Sequence, residues 1–449
     1  MNPTPVIAIF DIGKTNKKLF LFDENYHIVF ERSVRLDEVV DEDGYPCEDL
    51  ESLQQFVIGS LNEVTGLKEY DIKAVNFAAY GASLVYIGAD GQIFTPLYNY
   101  LKPYPEELSQ QFYAKHGGGE QFSIETASPV LGSLNSGLQL YRLKQEKPEI
   151  FKHLKYALHL PQYLSFLLTR NYYSDLTSIG CHTAMWDFGH DRYHDWIDSE
   201  GIASKLAPIV AADEVSEMIF GNGHFKVGPG LHDSSAALIP YLLNFNEPFI
   251  LISTGTWNIS LNPFNQSPLT ADELKQDCLC YLQYQGKPVK ASRLFSGFEH
   301  EQQVKRIAEH FKMDVVKFSD MAFQPKIIDQ LKTNLPQDLD FASRELSDFK
   351  TALEAHHQLI SDLIHSQVAS TQLVLKGTLV KKIFVDGGFS KNEVFMNLLA
   401  AAFPQMEVYA ASAAQASAVG AALVMHKEWN TRPIPKDMIE LKRFAAKAI

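Results

Sequence analysis

The sequence predicts an α/β protein made of two similar halves with a ligand cleft between them. Two segments carry that expectation. "IAIFDIGKTNKKLFLFD" (residues 7–23) and "FILISTGTWNISLNPF" (249–264) each run apolar strand, short glycine-containing turn, apolar strand. Laid on one another at a constant offset, Asp11 meets Ser253, Gly13 meets Gly255, Lys14 meets Thr256 and Asn16 meets Asn258, so the chain reads as internally duplicated. A third segment, "KKIFVDGGFSKNEVFMNLLAAAF" (381–403), gives strand, Gly-Gly turn and helix, and matches in kind the first-half strand that ends at Gly81.

The elements follow in order. Residues 6–11, 17–23 and 27–34 read as a β-meander, 50–64 have helical spacing, and 72–80 read as a buried strand. Residues 84–87 and 92–97 suggest a hairpin across "GADGQ", and 104–170 read as mostly helical with breaks around Gly117 to Gly119 and Pro129. "GNGHFKVGPGLHDSSAALIPYLL" (221–243) is glycine-rich and then helical. The crossing between halves is expected at "NFNEP", giving domains 1–245 and 246–449. The basic "RPIPKDMIELKRFAAKAI" at the end reads as a docked surface helix.

A chain of 449 residues suits two or three domains. Its net charge of -14 opposes nucleic-acid or anionic-membrane partners, so an anionic ligand needs local devices. No window approaches a membrane span, and the first residues lack a basic segment before a long apolar run, so a cytoplasmic protein is expected. Cys47, Cys181, Cys278 and Cys280 are too dispersed for a disulfide framework, and the CxC pair at 278 and 280 lacks the second half of a metal site. The adjacent His356 and His357 point different ways on a helix and make a poor metal clamp.

Neither a GxxxxGK[ST] loop, nor a strand-to-helix GxGxxG, nor a GxSxG elbow is present. What remains is the pair of hairpins rich in Gly, Thr, Ser and Asn, whose backbone N–H groups and hydroxyls can form a nest for phosphate oxygens. Alone, one such loop is better read as a solvated turn; two at matching positions point to a phosphate clamp, to which Lys14, Lys17 and Lys18 add charge. Asp11 ends an apolar strand, where its carboxylate either caps the turn or faces a cleft and helps hold Mg²⁺. Asp233 opens an apolar helical run, where it either caps the helix or serves as a general base, with His232 orienting a substrate hydroxyl.

Together these motifs resemble the FGGY carbohydrate kinases of the actin and sugar-kinase superfamily, over nearly the whole chain. That likeness implies two ribonuclease-H-like domains around a cleft, ATP and Mg²⁺ as cofactors, a small-molecule sugar partner, and a monomer or homodimer. "IAIFDIGKTNKKLFLFD" is similar to the first phosphate motif, "ISTGTWNIS" to the second, "VDGGFSKNEVF" to the adenosine motif and "GLHDSSAAL" to the segment of the catalytic aspartate. Within the family the likeness is to rhamnulokinase-like ketose kinases. It implies Gly81, His232, Asp233 and Ser234 on the sugar, with Asp233 as base. It puts Gly13, Lys14, Thr15, Asn16, Lys17, Thr256, Gln302, Gly387 and Gly388 on the nucleotide, and Asp11 with Asp233 at the metal. Tyr80 stands where a Trp is usual, and Leu294 where a sugar-binding Asn is usual. Cys181, His182 and Thr183 of "DLTSIGCHTAMWDF" are either pocket or core residues. The expected acceptor is a ketose such as L-rhamnulose or L-fuculose. The alternatives are a xylulokinase- or ribulokinase-like activity, or a non-catalytic actin-like or sugar-sensing protein.

Overall fold

A computed structural model of the chain describes residues 3–221, 223–319, 321–334, 340–412 and 415–445. Its first half is built on β1 (Thr4–Ile12), β2 (Lys17–Asp23) and β3 (Ile28–Val34), an antiparallel meander. Ile7, Ile9, Phe20 and Phe22 fill one side of this sheet and Ala8, Phe10, Leu19 and Leu21 the other, all fully buried. Cover on both faces is why β1 and β2 read as continuous apolar runs rather than as alternation. Asp49 caps α1 (Leu50–Thr65) by accepting from the N–H groups of Glu51 and Ser52, and the Leu53, Phe56, Val57, Leu61 and Val64 stripe covers one sheet face.

The chain then returns as β4 (Tyr70–Ala79), parallel to β1. Beyond β4 lie β5 (Ser216–Phe220) and β6 (Gly223–Val227), and the short Leu231–His232 strand also pairs parallel with β4. The resulting order is β5-β6-β4-β1-β2-β3. His232 leads into α2 (Asp233–Asn244).

The second half repeats the plan with β7 (Phe249–Thr254), β8 (Asn258–Asn262), β9 (Cys278–Leu282), β10 (Pro288–Leu294), α3 (Ser296–Phe311), α4 (Ala352–Leu375), β11 (Lys382–Gly387), β12 (Glu407–Ser412), α5 (Ala416–Val424) and β13 (Glu440–Phe444). Its order is β9-β10-β8-β7-β11-β12-β13, with β11 parallel to β7 as β4 is to β1. The duplication holds, with one change of register. Gly13 N–H bonds the Asn16 carbonyl, but Gly255 N–H bonds that of Trp257, so the second turn is one residue shorter and Lys17, not Asn16, is the counterpart of Asn258.

Two other expectations change. Leu84–Gly88 closes the expected turn, with Gly88 N–H on the Gln92 carbonyl and Phe94 N–H on that of Tyr86, but it also pairs with the strand Leu154–His159, inside the span read as helical. The "LKYALH" strand was hidden because it sits between two helices without a glycine or turn signal at its end. The C-terminal segment forms β13 on β12 rather than a helix, and its exposed Lys442 and Arg443 suit a sheet edge; residues 446–449 of that expected helix lie outside the described residues. No helix among the described residues is long and apolar enough to cross a membrane.

The halves meet where α5 crosses α2. A Cβ on Gly420 would sit 1.9 Å from the Ala236 carbonyl oxygen, so the two helix backbones touch. Asn76 of β4 donates to the Ala421 carbonyl at 2.9 Å across the same junction.

Candidate active site

Three parallel strand ends deliver the central residues. Asp11 on β1 lies opposite Ala78 on β4, which lies opposite Leu231; Ile12, Ala79 and His232 form the next row. Beyond that row come Gly81 and Asp233, so Asp11, Gly81 and Asp233 share one edge of the sheet, at the carboxyl ends of its parallel strands. Ser417 of α5 donates to Asp11 Oδ2 at 2.8 Å, which brings the second half onto the first-half carboxylate. Burial, with a smaller contribution from the nearby Asp233 charge, pushes the Asp11 carboxyl up to about 6 against the Ser417 hydrogen bond. Burial likewise raises Asp233 to about 6.

Asp233 Oδ1 accepts from the Ser234 N–H at 2.6 Å and its hydroxyl at 3.2 Å, and lies 3.2 Å from His232 Nε2. His232 is buried and held neutral, its pKa lowered to about 3 by burial. The same Nε2 is 3.2 Å from Cys181 Sγ, and both groups press on Gly81: a Cβ there would lie 2.8 Å from the sulfur and 3.1 Å from His232 Cδ2. Tyr281 stands edge-on to His232 at 5.6 Å and near His182 at 6.0 Å.

The opposite wall comes from the second half. A cleft of about 570 Å³ is lined by Asp233 and Ser234 on one side and by Ser253, Asp386, Gly387, Gly388, Ser390 and Lys391 on the other. Gly387 has φ 89°, and a Cβ on it would fall 1.9 Å from the Thr254 carbonyl oxygen, so only glycine lets β11 turn this close to β7. Thr254 Oγ1 donates to the Asp386 carbonyl at 2.5 Å and accepts from Phe389 N–H at 3.0 Å, fixing the turn. The Tyr241 hydroxyl donates to Asp386 Oδ2 at 2.9 Å, while burial raises that carboxyl.

Residues 6–237 match the family model described as the FGGY family of carbohydrate kinases, N-terminal domain, and residues 246–433 match carbohydrate kinase FGGY, C-terminal domain. The chain belongs to the FGGY carbohydrate kinase family. A curated relative, the rhamnulokinase of Oceanobacillus iheyensis, is 22% identical over 265 residues, covering 56% of this chain and 54% of that one; the match thus spans about half the length of the curated relative. Among solved structures, a carbohydrate kinase from Novosphingobium aromaticivorans superposes with a TM-score of 0.79 at 23% identity, covering 99% of this chain and 95% of the other. Xylulose kinase from Lactobacillus acidophilus gives 0.77 at 15% identity, covering 99% and 94%. These structures share the fold, two ribonuclease-H-like domains around a cleft.

Not every expected residue of this FGGY chain faces the cleft. Of the expected residues, Asp233, Ser234, Gly387 and Gly388 line the 570 Å³ cavity, whereas Asp11, Gly13, Lys14, Thr15, Asn16, Lys17, Gly81, His232, Thr256 and Gln302 do not. Lys17 corrects the expectation of a nucleotide contact. It is 1% exposed, its ammonium lies 2.7 Å from Glu48 and donates to the Gly13 and Lys14 carbonyls, so its charge is consumed inside the first half. Lys14 pairs with Glu38 at 2.8 Å and Lys18 with Glu31 at 3.3 Å. Tyr80 donates to Glu48 at 3.1 Å rather than into the cleft. His182 and Thr183 are buried, with His182 near the Leu134 carbonyl and Thr183 donating to that of Ile179. Leu294 ends β10 opposite Asn258. Cys278 and Cys280 are buried on β9, their thiols pushed up to about 12 by burial.

Ser417, Asp386 and Tyr241 were not foreseen. "QASAVGAAL" reads as a small-residue helix, and nothing local shows that its serine crosses to Asp11. Gly297 was missed too: a Cβ there would lie 1.7 Å from the Gly255 carbonyl oxygen, so α3 starts directly on the second hairpin.

Proposed function

We propose that this chain is an ATP-dependent phosphotransferase that moves the γ-phosphoryl group to a hydroxyl of a ketose such as L-rhamnulose or L-fuculose, with Asp233 as general base. The observation that carries this reading is the part-buried Asp233 carboxylate at the head of α2, raised to about 6 and facing a cleft whose far wall is the Gly387–Gly388 turn. A carboxylate tuned toward neutrality from below accepts a hydroxyl proton near pH 7 while remaining mostly ionised. Its Oδ1 is held by Ser234, which leaves Oδ2 for the acceptor hydroxyl. Gly81, with His232 and Cys181 packed against it, forms the acceptor floor, and Ser253, Gly387, Gly388 and Lys391 line the nucleotide side.

Asp11 and Asp233 fit a hard divalent cation. Both are carboxylates, both are raised, and the Asp233 charge is one reason for Asp11. Mg²⁺ held there would neutralise phosphate charge. The chain's own residues do the rest by positioning, since phosphoryl transfer asks the protein mainly for alignment and electrostatics. We place the boundary of the two domains at residue 245, with 1–245 holding the acceptor and 246–449 the nucleotide.

A pentulose acceptor is the second reading. Leu294 in place of an amide removes one sugar contact and so suits a shorter chain. A panel of ketoses with ATP and Mg²⁺, scored by kcat/KM, separates the two. In the same assay Asp233→Asn should abolish sugar-dependent ADP release and keep nucleotide binding; full turnover by that variant would remove Asp233 from the role of base.

A further inference from the structure

Helix α2 belongs to both halves. Its first residue, Asp233, follows the Leu231–His232 strand that pairs with β4 on the first sheet. Two turns further on, its Tyr241 is fully buried against the second sheet, with ring centroids 5.6 Å from Phe384 on β11 and 6.2 Å from Phe249 on β7. Packing of this kind asks only for a ring, so the hydroxyl has a use of its own.

That hydroxyl donates to Asp386 Oδ2 at 2.9 Å, from the helix of the first half to a strand of the second. The other oxygen, Oδ1, accepts from the Gly387 N–H at 2.7 Å, and the Asp386 carbonyl accepts from Thr254 Oγ1 at 2.5 Å. Asp386 is thus gripped at both carboxylate oxygens and at its backbone, immediately before the Gly387–Gly388 turn that lines the cleft with Asp233. The rings around the phenol, Phe245, Phe249 and Phe384, carry no donor that could take its place. Without the hydroxyl, Oδ2 would be left against apolar rings, a costly position for a carboxylate, while Lys391 offers an opposite charge on the cleft wall. The carboxylate would turn toward the cleft and release the Gly387 N–H.

We infer that Tyr241 is a positioning residue of the phosphoryl transfer, whose hydroxyl anchors Asp386 and so sets the Gly387–Gly388 turn relative to the helix that begins with Asp233. The inference rests on the reading of that turn as the nucleotide side and of Asp233 as the base.

Tyr241→Phe keeps the ring and deletes the donor. Calorimetric titration of the full chain with ADP, and separately with the ketose that the wild type turns over best, reads the effect. ADP binding should weaken about three- to tenfold, the value of one hydrogen bond, and ketose binding should stay as it is. In steady state the KM for ATP should rise by the same factor and that for the ketose should not. Adding Asp386→Asn removes the charge that the phenol satisfies, so the double variant should bind ADP more tightly than Tyr241→Phe alone. Phe245→Leu loosens the same aromatic cluster without touching Asp386; it should melt lower than wild type and keep its ADP affinity. Equal ADP affinity in wild type and Tyr241→Phe, an equal loss for ADP and ketose, a double variant no better than Tyr241→Phe, or as large a loss in Phe245→Leu would each overturn the inference. A wild type that takes no ADP would remove the nucleotide reading and this inference with it, whereas a working kinase indifferent to Tyr241→Phe would remove this inference alone.

Discussion

Lys17 Nζ lies 2.7 Å from Glu48 Oε1, and the other oxygen of that carboxylate accepts the Tyr80 hydroxyl at 3.1 Å. The lysine also holds the Gly13 and Lys14 carbonyls, and Tyr80 immediately precedes Gly81. One buried ion pair thus ties the first hairpin to Gly81. Lys17→Met takes the near cation from buried Glu48, leaving it the Tyr80 hydroxyl and Lys14 at 4.0 Å, and should cost about 3 kcal/mol. Tyr80→Phe loses one hydrogen bond, about 1 kcal/mol. Urea midpoints measure both, and an unchanged midpoint for Lys17→Met would contradict the clamp.

Asp233 supplies a pH signature of two kinds. Its folded pKa of about 6 is above the ordinary value of 3.8, so the part-buried charge costs stability as pH rises through that window and the full cost is present above about 6. Asp233→Asn should therefore melt higher than wild type at pH 8, by an amount on the order of 2 kcal/mol, with the gain vanishing below pH ~4. Wild-type kcat/KM should fall as pH drops below about 6, where the base takes its proton.

At Gly81 the room for a side chain is already taken by Cys181 and His232. Gly81→Ala should raise the ketose KM while leaving that for ATP in place, and a second change, Cys181→Ala, should recover part of the loss. Steady-state kinetics on the three variants decide it; an equal rise in both KM values would mean a general distortion instead.

Ser417→Ala removes the hydroxyl that donates to Asp11 at 2.8 Å. Stability should drop by about 1 kcal/mol and the Asp11 carboxyl should move further up, since burial and the Asp233 charge are then opposed only by the Lys18 charge. Thermal melts together with a carboxyl-resolved NMR titration read the two effects separately.

Glu200 offers a control far from the cleft. Lys115 at 2.5 Å and Lys144 at 2.6 Å draw its carboxyl down to about 2. A depressed carboxylate stabilises above its unfolded pKa and loses that contribution as pH falls through the folded one, here between about 4.5 and 2. Glu200→Gln should be less stable than wild type at pH 7, on the order of 1 kcal/mol because Lys115 is half exposed, and the gap should close by pH ~2.

The first meander, the strand-turn-strand at 249–264, the strands that end at Gly81 and at the Gly387–Gly388 turn, and the glycine turns were legible because each is written locally. A buried strand is an apolar run, and a close backbone approach such as Gly387 on Thr254 demands a residue without a Cβ. Asp11 and Asp233 were likewise visible as charges at the ends of apolar segments. What escaped was decided at long range. Lys17 looked like a free cation because its partner, Glu48, is set by β-pairing and not by spacing, and Ser417 reaches Asp11 from 406 residues away. The strand at 154–159 and the edge strand at 440–444 were misread because the pairing partner, and not the segment, decides their conformation.

The backbone-on-backbone crossing of Gly420 against Ala236 sets what opening and shutting of the molecule can look like. With no side chain between them, the helices cannot slide without collision, so any change in the gap between the halves has to pivot about this point. Ser417 and Asp233 each lie three residues from that contact, so a rotation about it would displace the Asp11–Asp233 pair least and the distant rim most. A single added methyl at residue 420 would jam the fulcrum.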